Sequence, residues 1–416
     1  MSVKSLLSKY WGEIVYVFSS TYSLGIAMVT GIVATAFIDP SDMGVIQSVL
    51  LVEVYLGFLH LGVFNGLNRN LAYYKAQGNK ELVQDMVNTT YSVSYLVAII
   101  GVLISTGIFV YYLIIGKPLV YLLSAILLAF SLVLTPLTNA VETTYRSGQE
   151  FKRLGVIKNI ESSIYATLLI FPILLGYVGK IISDSFKLFI GYLLRFNKRP
   201  YVRTSTGSRS SLNELIRTGF PILISGYVWS VFTSCDRTFI ASYLGMEQMG
   251  LYAISNYVMI AVMAVPTAVN TLLYPKAAAC YGATGDKKSL IGFWKKSLLL
   301  YAFILVPLCL FLYLILPLLV EYFIPKYIGG IRAAQYSLLT CITFIYRGPS
   351  VIFGTLKRNT FFIIILTLSI VLFWIGTWLF REYMQSIEAV SLLRFCISFI
   401  QMVIVLIVTY KYIHNE

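Results

Sequence analysis

Charge is scarce in this chain. Asp, Glu, Lys and Arg make up only 12% of its 416 residues, where a soluble domain carries about 25%. Histidine is scarcer, with His60 and His414 alone. The cysteines Cys235, Cys280, Cys309, Cys341 and Cys396 are scattered and form no CxxC pair. Neither a zinc site nor a disulfide framework is therefore expected, and no cofactor or metal is implied. Long polar loops are missing too, so there is no room for a soluble domain between apolar runs. Whatever the chain does, it is expected to do within a membrane. The short alternating segments of a β-barrel are also lacking. No cleavable signal peptide is expected, because MSVKSLLSKYWGE leads straight into an apolar run.

What remains is apolar. Hydrophobic residues make up 58% of the chain, and the mean hydropathy is +0.79. Runs of about 20 apolar residues are long enough to cross a bilayer. Twelve spans are expected, near 14–38, 44–67, 91–115, 118–139, 160–178, 181–196, 218–243, 249–273, 297–323, 332–354, 359–380 and 388–411. The fold class is thus an all-α polytopic membrane protein. Asp184 and Lys187 interrupt the sixth span, and Pro307 and Pro317 are expected to kink the ninth.

The formal net charge is +14. In a soluble protein that would point to nucleic acid. Here the excess reads as topology, and no nucleic-acid partner is expected. With the N-terminus in the cytoplasm, 24 Lys and Arg fall on inner segments and six on outer ones. The inner set includes Lys4, Lys9, Lys158, Arg195 and Lys357. The positive-inside rule then places both termini in the cytoplasm.

The chain also repeats. Asp39-Pro40-Ser41-Asp42-Met43-Gly44-Val45 precedes the second span, and Gly245-Met246-Glu247-Gln248-Met249-Gly250-Leu251 precedes the eighth. Their Met-Gly pairs lie 206 residues apart. Ala76-Gln77-Gly78-Asn79-Lys80 and Ala283-Thr284-Gly285-Asp286-Lys287 follow those spans at an offset of 207. Each turn is ordinary loop chemistry, but two in register indicate two six-helix halves. The expected division is 1–196, a basic linker at 197–212, and 213–416. Parallel repeats of this kind place substrate between the halves, which points to a transporter.

The stretch Gly226–Ile254, GYVWSVFTSCDRTFIASYLGMEQMGLYAI, sets two adjacent charges, Asp236 and Arg237, inside an apolar run. Charge at membrane depth is costly and marks a candidate functional site. Its pattern of Cys235-Asp236-Arg237, then Tyr243-Leu244-Gly245, an acidic turn and Met249-Gly250-Leu251-Tyr252-Ala253, resembles the polysaccharide-exporter branch of the MOP superfamily (multidrug, oligosaccharidyl-lipid and polysaccharide exporters). Phe37-Ile38-Asp39-Pro40 and Gly66-Leu67-Asn68-Arg69-Asn70 of the first half are similar to it as well. Essentially the whole chain shares the likeness, and within that branch it looks like the Wzx-type O-antigen flippases.

That resemblance implies a V-shaped, two-lobed, MATE-like protein of the bacterial inner membrane, and not an enzyme. It would flip an undecaprenyl-diphosphate-linked oligosaccharide to the outer leaflet. Coupling to H+ or Na+, contact with membrane lipids and work beside other polysaccharide-assembly proteins are implied with it. Spans one, two, seven and eight would line the cavity. A guanidinium fork suits diphosphate, so Arg237 and then Arg394 are the substrate-binding candidates. The competing role for Arg237 is an ion pair, with Glu53 as a partner that would hold the lobes shut. For Arg394 it is a pair inside its own lobe, or snorkelling to the outer interface.

Asp236, Glu53 and His60 are candidates for ion coupling or gating. Glu53, Gly57 and His60 share one helix face, with about 10 Å between Glu53 and His60 along the axis. Asp236 equally suits helix packing against a Ser, Tyr or Arg of its own lobe. Ser230, Ser234, Tyr22, Asn256 and Asn270 are candidate polar lining, though small and hydroxyl residues also simply pack membrane helices.

Two other functions compete. One is an ion-coupled multidrug exporter of the same superfamily. The other is a membrane glycosyltransferase or polymerase with Asp39 and Asp42 as a metal pair, although that loop reads as a capped turn.

Overall fold

A computed structural model describes residues 11–284, 286–356 and 358–414. Lys4, Lys9 and Lys357, and Gly285 of the second repeat turn, lie outside them. Every regular element among the described residues is helical. The first half holds α1 (Trp11–Ala36), α2 (Pro40–Leu56), α3 (Val63–Ala76), α4 (Lys80–Ile114), α5 (Leu119–Ser147), α6 (Phe151–Thr167) and α7 (Ile170–Asn197). The second holds α8 (Arg209–Phe232), α9 (Cys235–Phe239), a π turn (Ile240–Leu244), α10 (Met246–Leu251), α11 (Ala253–Thr284) and α12 (Leu290–Phe323). It ends with α13 (Ile331–Thr343), α14 (Arg347–Thr355), α15 (Asn359–Leu379) and α16 (Ile387–His414).

Nine helices among the described residues are long and apolar enough to cross a membrane, or ten if the bent pair α6–α7 counts as one span. Their outward faces suit lipid: Ile114, Phe303 and Tyr322 each stay about four-fifths exposed. Local chemistry sets the helix starts. The Asn79 side chain accepts the Leu82 amide at 3.1 Å, satisfying a donor that the first turn leaves open. Asp286 likewise accepts the Lys288 amide at 2.9 Å. α12 runs as one helix through both Pro307 and Pro317.

Several spans are interrupted among the described residues. The second is split into α2 and α3, of 17 and 14 residues, by the segment from Gly57 to Gly62. There Leu61 and Gly62 take left-handed φ values of 47° and 84°. The fifth contains Gly176, whose φ 56° and ψ −129° break α7. The seventh breaks at Thr233-Ser234, immediately before Asp236 and Arg237.

Contacts divide the chain into two compact units. One contains the described residues up to Ile38 together with Val49–Tyr227, and the second contains Asp39–Ser48 and the chain from Val228 onward. In the first, α4 packs on α5, α1 on α6 and α5 on α7. Its core gathers Leu67, Leu71, Met86, Val87, Ala140 and Leu154. The segment after α7 is fastened to α4, where Asp85 Oδ2 accepts the Ser208 and Ser211 hydroxyls at 2.5 and 2.6 Å. In the second, α13 lies against α16, α11 and α12.

The two Met-Gly turns meet in the second unit. A Cβ on Gly44 would fall on the Met246 carbonyl and stand 2.9 Å from the Gly250 amide. One on Gly250 would fall on the Pro40 carbonyl. Each glycine thus faces the residue four before the other, a reciprocal crossing that only a bare Cα permits. A second crossing stands in the first unit, where Gly66 faces the Leu215 carbonyl and Gly219 faces that of Gly62.

Candidate functional site

The break after Phe232 delivers the charged stretch of span seven. α9 restarts the chain at Cys235, with Asp236 in its first turn and Arg237 in its last. Asp236 points inward. Its Oδ1 accepts the Arg237 amide at 2.8 Å, and its Oδ2 accepts the Tyr252 hydroxyl at 2.7 Å. Arg394 Nη1 of α16 pairs with the same Oδ2 at 3.1 Å. Both side chains of that pair are only 2% exposed. The guanidinium also lies 4.5 Å from the centroid of the Phe232 ring. A charge this deep is tolerated only with a partner. Arg394 thus sits in the interior of its own unit, joined to Asp236.

Arg237 is placed differently. It is half-buried, and its Nη2 donates to the Ser234 hydroxyl at 2.8 Å. Ser234 is buried, whereas Ser230 and Asn256 are half-buried. Asn270 Oδ1 accepts the Tyr301 hydroxyl at 2.7 Å. Arg347 lies 4.5 Å over the Trp229 ring.

The first unit brings Glu53 and His60 to one cavity of about 150 Å³ between the broken span two, α4 and α5. Glu53 Oε2 accepts the Ser131 hydroxyl at 2.5 Å. His60 Nδ1 accepts the Gly62 amide at 3.2 Å, and its ring stacks on Phe64 at 4.5 Å. The imidazole thus holds the break in shape. Tyr22 shares a hydrogen bond with Ser163 at 3.3 Å, away from that cavity's lining.

Charged groups that periodicity had not singled out form a network in the same unit. Glu142 pairs with Lys158 at 3.1 Å and Arg195 at 3.3 Å. Arg195 Nη1 also pairs with Glu161 at 2.6 Å. Lys180 pairs with Asp184, which accepts the Tyr165 hydroxyl at 2.7 Å. Lys187 lies 4.3 Å over the Tyr165 ring. The signal was present as spacing: Lys180–Asp184 at i,i+4 and Lys158–Glu161 at i,i+3 suit one helix face.

Of the two loop acids that the enzyme alternative would use, Asp39 is joined to Lys326 at 2.7 Å. Asp42 is half-buried, and burial with the neighbouring Asp39 raises its carboxyl above the ordinary range. Among the described residues no cluster of three or more His, Cys, Asp and Glu side chains stands where it could hold a metal ion.

Residues 32–326 match the model of a family described as polysaccharide biosynthesis protein. The chain belongs to that family. Comparison with curated proteins returns no match. Among solved structures, this polysaccharide biosynthesis protein resembles an inward-facing multidrug resistance MATE family transporter of the MOP superfamily. The TM-score is 0.72 at 14% identity, covering 94% of each chain. An outward-facing structure of a transporter of that description matches at 0.66 and 14% identity, over 97% of this chain and 95% of that one. A MOP superfamily transporter from Pyrococcus furiosus, described as having a binding pocket of reverse polarity, matches at 0.65 and 16% identity, again over 97% and 95%. Identities this low establish the fold alone. The protein is a multi-pass, all-α membrane protein with a MATE-like fold.

Proposed function

We propose that this protein flips an undecaprenyl-diphosphate-linked oligosaccharide from the inner to the outer leaflet of the bacterial inner membrane. It works by alternating access, coupled to an ion gradient, with both termini in the cytoplasm. The halves 1–196 and 213–416, joined through 197–212, are the moving parts. The observation that carries this reading is the polysaccharide biosynthesis family match over residues 32–326, on a fold shared with MOP transporters.

Arg237 supplies the fork for the diphosphate. It is half-buried beside the break of span seven and oriented by Ser234. A planar guanidinium binds phosphate oxygens in pairs, which a lysine ammonium does not. Arg394 serves differently: paired with Asp236, it holds α9 to α16 so that Arg237 keeps its direction. Hydroxyl and amide side chains such as Ser230 and Asn256 meet the sugars.

Deleting the gene is expected to trap the lipid-linked precursor on the inner leaflet, and Arg237→Ala to abolish surface polysaccharide while the protein remains inserted. No trapped precursor in the deletion strain would remove the flippase reading. Normal polysaccharide from Arg237→Ala would remove that residue's role. The second reading, an ion-coupled multidrug exporter, draws on the likeness to multidrug transporters. It requires drug sensitivity in the deletion strain with polysaccharide intact.

A further inference from the structure

A further cavity, of about 570 Å³, lies within the second unit, between the end of span seven and the turn from α15 to α16. Phe239, Tyr243, Trp374, Trp378, Arg381 and Gln385 line it. The π turn beside it is closed by the Gly245 amide, which donates to the Ile240 carbonyl at 3.2 Å. Such turns recur at functional sites. Tyr243, carried on this turn, stacks on Phe239 at 4.9 Å, and Phe239 lies 6.3 Å from the Trp374 ring. Phe239 is buried, whereas Tyr243 and Trp378 are 65% and 76% exposed.

The polar lining stands in the turn. Gln385 Nε2 donates to the Arg381 carbonyl at 3.2 Å. The Arg381 side chain is exposed and pairs with no carboxylate among the described residues. None of the described lining residues is acidic, so the cavity favours neutral or anionic ligands over cationic ones. It is also shallow. The lining runs from Phe239 to Leu244 on one side and from Trp374 to Trp378 on the other, about 6–8 Å of helix at 1.5 Å per residue. That is head-group depth beside a hydrocarbon core of about 30 Å, too little to seat an acyl chain. Trp and Tyr gather at any membrane interface, but a belt that only faces lipid needs no cavity with a guanidinium and an amide in its wall.

We infer that this cavity binds the oligosaccharide head of the exported glycolipid on the outer face of the protein. The inference rests on the flippase reading above and gives the product a site of its own. In that reading α16 ends in the cytoplasm, so its start, with Arg381 and Gln385 just before it, faces outward. A sugar ring has an apolar C–H face and a rim of hydroxyls. The exposed rings of Tyr243 and Trp378 suit the face, and the Arg381 guanidinium and Gln385 amide hydrogen-bond the rim. The volume falls within the range of about 300–1,000 Å³ usual for small-molecule sites. The Asp236–Arg394 pair joins α9 to α16 inside the same unit, which keeps the two walls at one spacing. The site takes the sugar alone and leaves the diphosphate to Arg237.

The test uses the purified full chain in a zwitterionic detergent, because glucoside and maltoside detergents carry competing sugar. The probe is the free oligosaccharide released by mild acid from the producing strain's lipid-linked pool, without lipid or diphosphate. Calorimetry and tryptophan fluorescence are expected to show saturable binding. Trp378→Ala and Arg381→Gln are each expected to weaken it about tenfold, and Trp378→Phe, which keeps a ring, to recover most of the loss. Trp378 is exposed, so its replacement is expected to leave the thermal midpoint unchanged, and Arg381→Gln keeps the question answerable if it does not. No saturation would overturn the site, as would binding that both variants leave unchanged. Nanodiscs with and without phosphatidylglycerol are compared as well. A fluorescence change that follows phosphatidylglycerol and not the oligosaccharide would make this a lipid-head-group site and also overturn the proposal. Oligosaccharide binding that depends on Trp378, with no precursor trapped in the deletion strain, would sink the flippase reading and keep the site. Trapped precursor with no oligosaccharide binding would sink the site alone.

Discussion

Removing Arg394 should damage the fold before it damages any encounter with substrate. Its pair with Asp236 is 2% exposed on both sides, and Tyr252, 1% exposed, donates to the same carboxylate. Taking one partner from a buried pair leaves an uncompensated charge, at a cost of about 3–5 kcal/mol. Replacing both partners with neutral groups of similar shape is often close to neutral. Arg394→Met and Asp236→Asn should therefore each cost about 3–5 kcal/mol. The double variant keeps an Asn oxygen for the Tyr252 hydroxyl and should lie within about 2 kcal/mol of the parent. Independent sites would instead sum to roughly 6–10 kcal/mol.

Unfolding by steric trapping in bicelles reads these differences, and complementation of surface polysaccharide reads function beside them. If the pair is scaffold, the double variant recovers both stability and polysaccharide. Additive losses would refute the pairing argument. A double variant that is stable yet inactive would show that Arg394 or Asp236 works on the substrate or the ion directly.

The glycine crossings give an independent check. Gly44→Ala, Gly250→Ala, Gly66→Ala and Gly219→Ala each set a methyl on a backbone carbonyl, which cannot swing aside, so losses near the top of the overpacking range of about 1–3 kcal/mol are expected. Gly107→Ala, with nothing within 4 Å of its Cβ, should gain up to about 1 kcal/mol from helix propensity, and thermal midpoints in one detergent would rank the five. Tyr74 donates to Glu214 at 2.5 Å between α3 and α8, and that hydrogen bond to a carboxylate raises its phenol above the ordinary value. Its contribution should hold through neutral pH and disappear only as pH climbs past about 10, so parent and Tyr74→Phe should differ in midpoint at pH 7 and converge in strong alkali.

Hydropathy located most of the helices, because burial in lipid demands length and apolarity and little else. It could not locate the break in span two. The residues Leu56-Gly57-Phe58-Leu59-His60-Leu61-Gly62-Val63 are apolar enough to read as continuous helix, and φ at Leu61 leaves no trace in hydropathy. Asp236 stood out locally as a charge in an apolar run. Its partner Arg394 lies in the last helix, and no local period links the two. Arg195 and Lys158 read as inner-segment charges because they stand near span ends. That reading did not foresee their partners: both pair with Glu142 and Arg195 also with Glu161.

The repeat was legible for a physical reason. Met43-Gly44 and Met249-Gly250 are alike because they touch each other. A reciprocal crossing constrains both copies at once, since a side chain at either glycine would part the same two backbones. No such constraint acts on charge. Asp236-Arg237 falls opposite Thr30-Gly31 in the repeat, and Glu53 opposite Met259. Each unit meets these charges from within: buried Asp236 by Arg394 in one, half-buried Glu53 by Ser131 in the other. The buried ion pair of the second unit is thus neutral within itself, whereas the carboxylate of the first is met by a hydroxyl, and the repeat carries over packing but not charge.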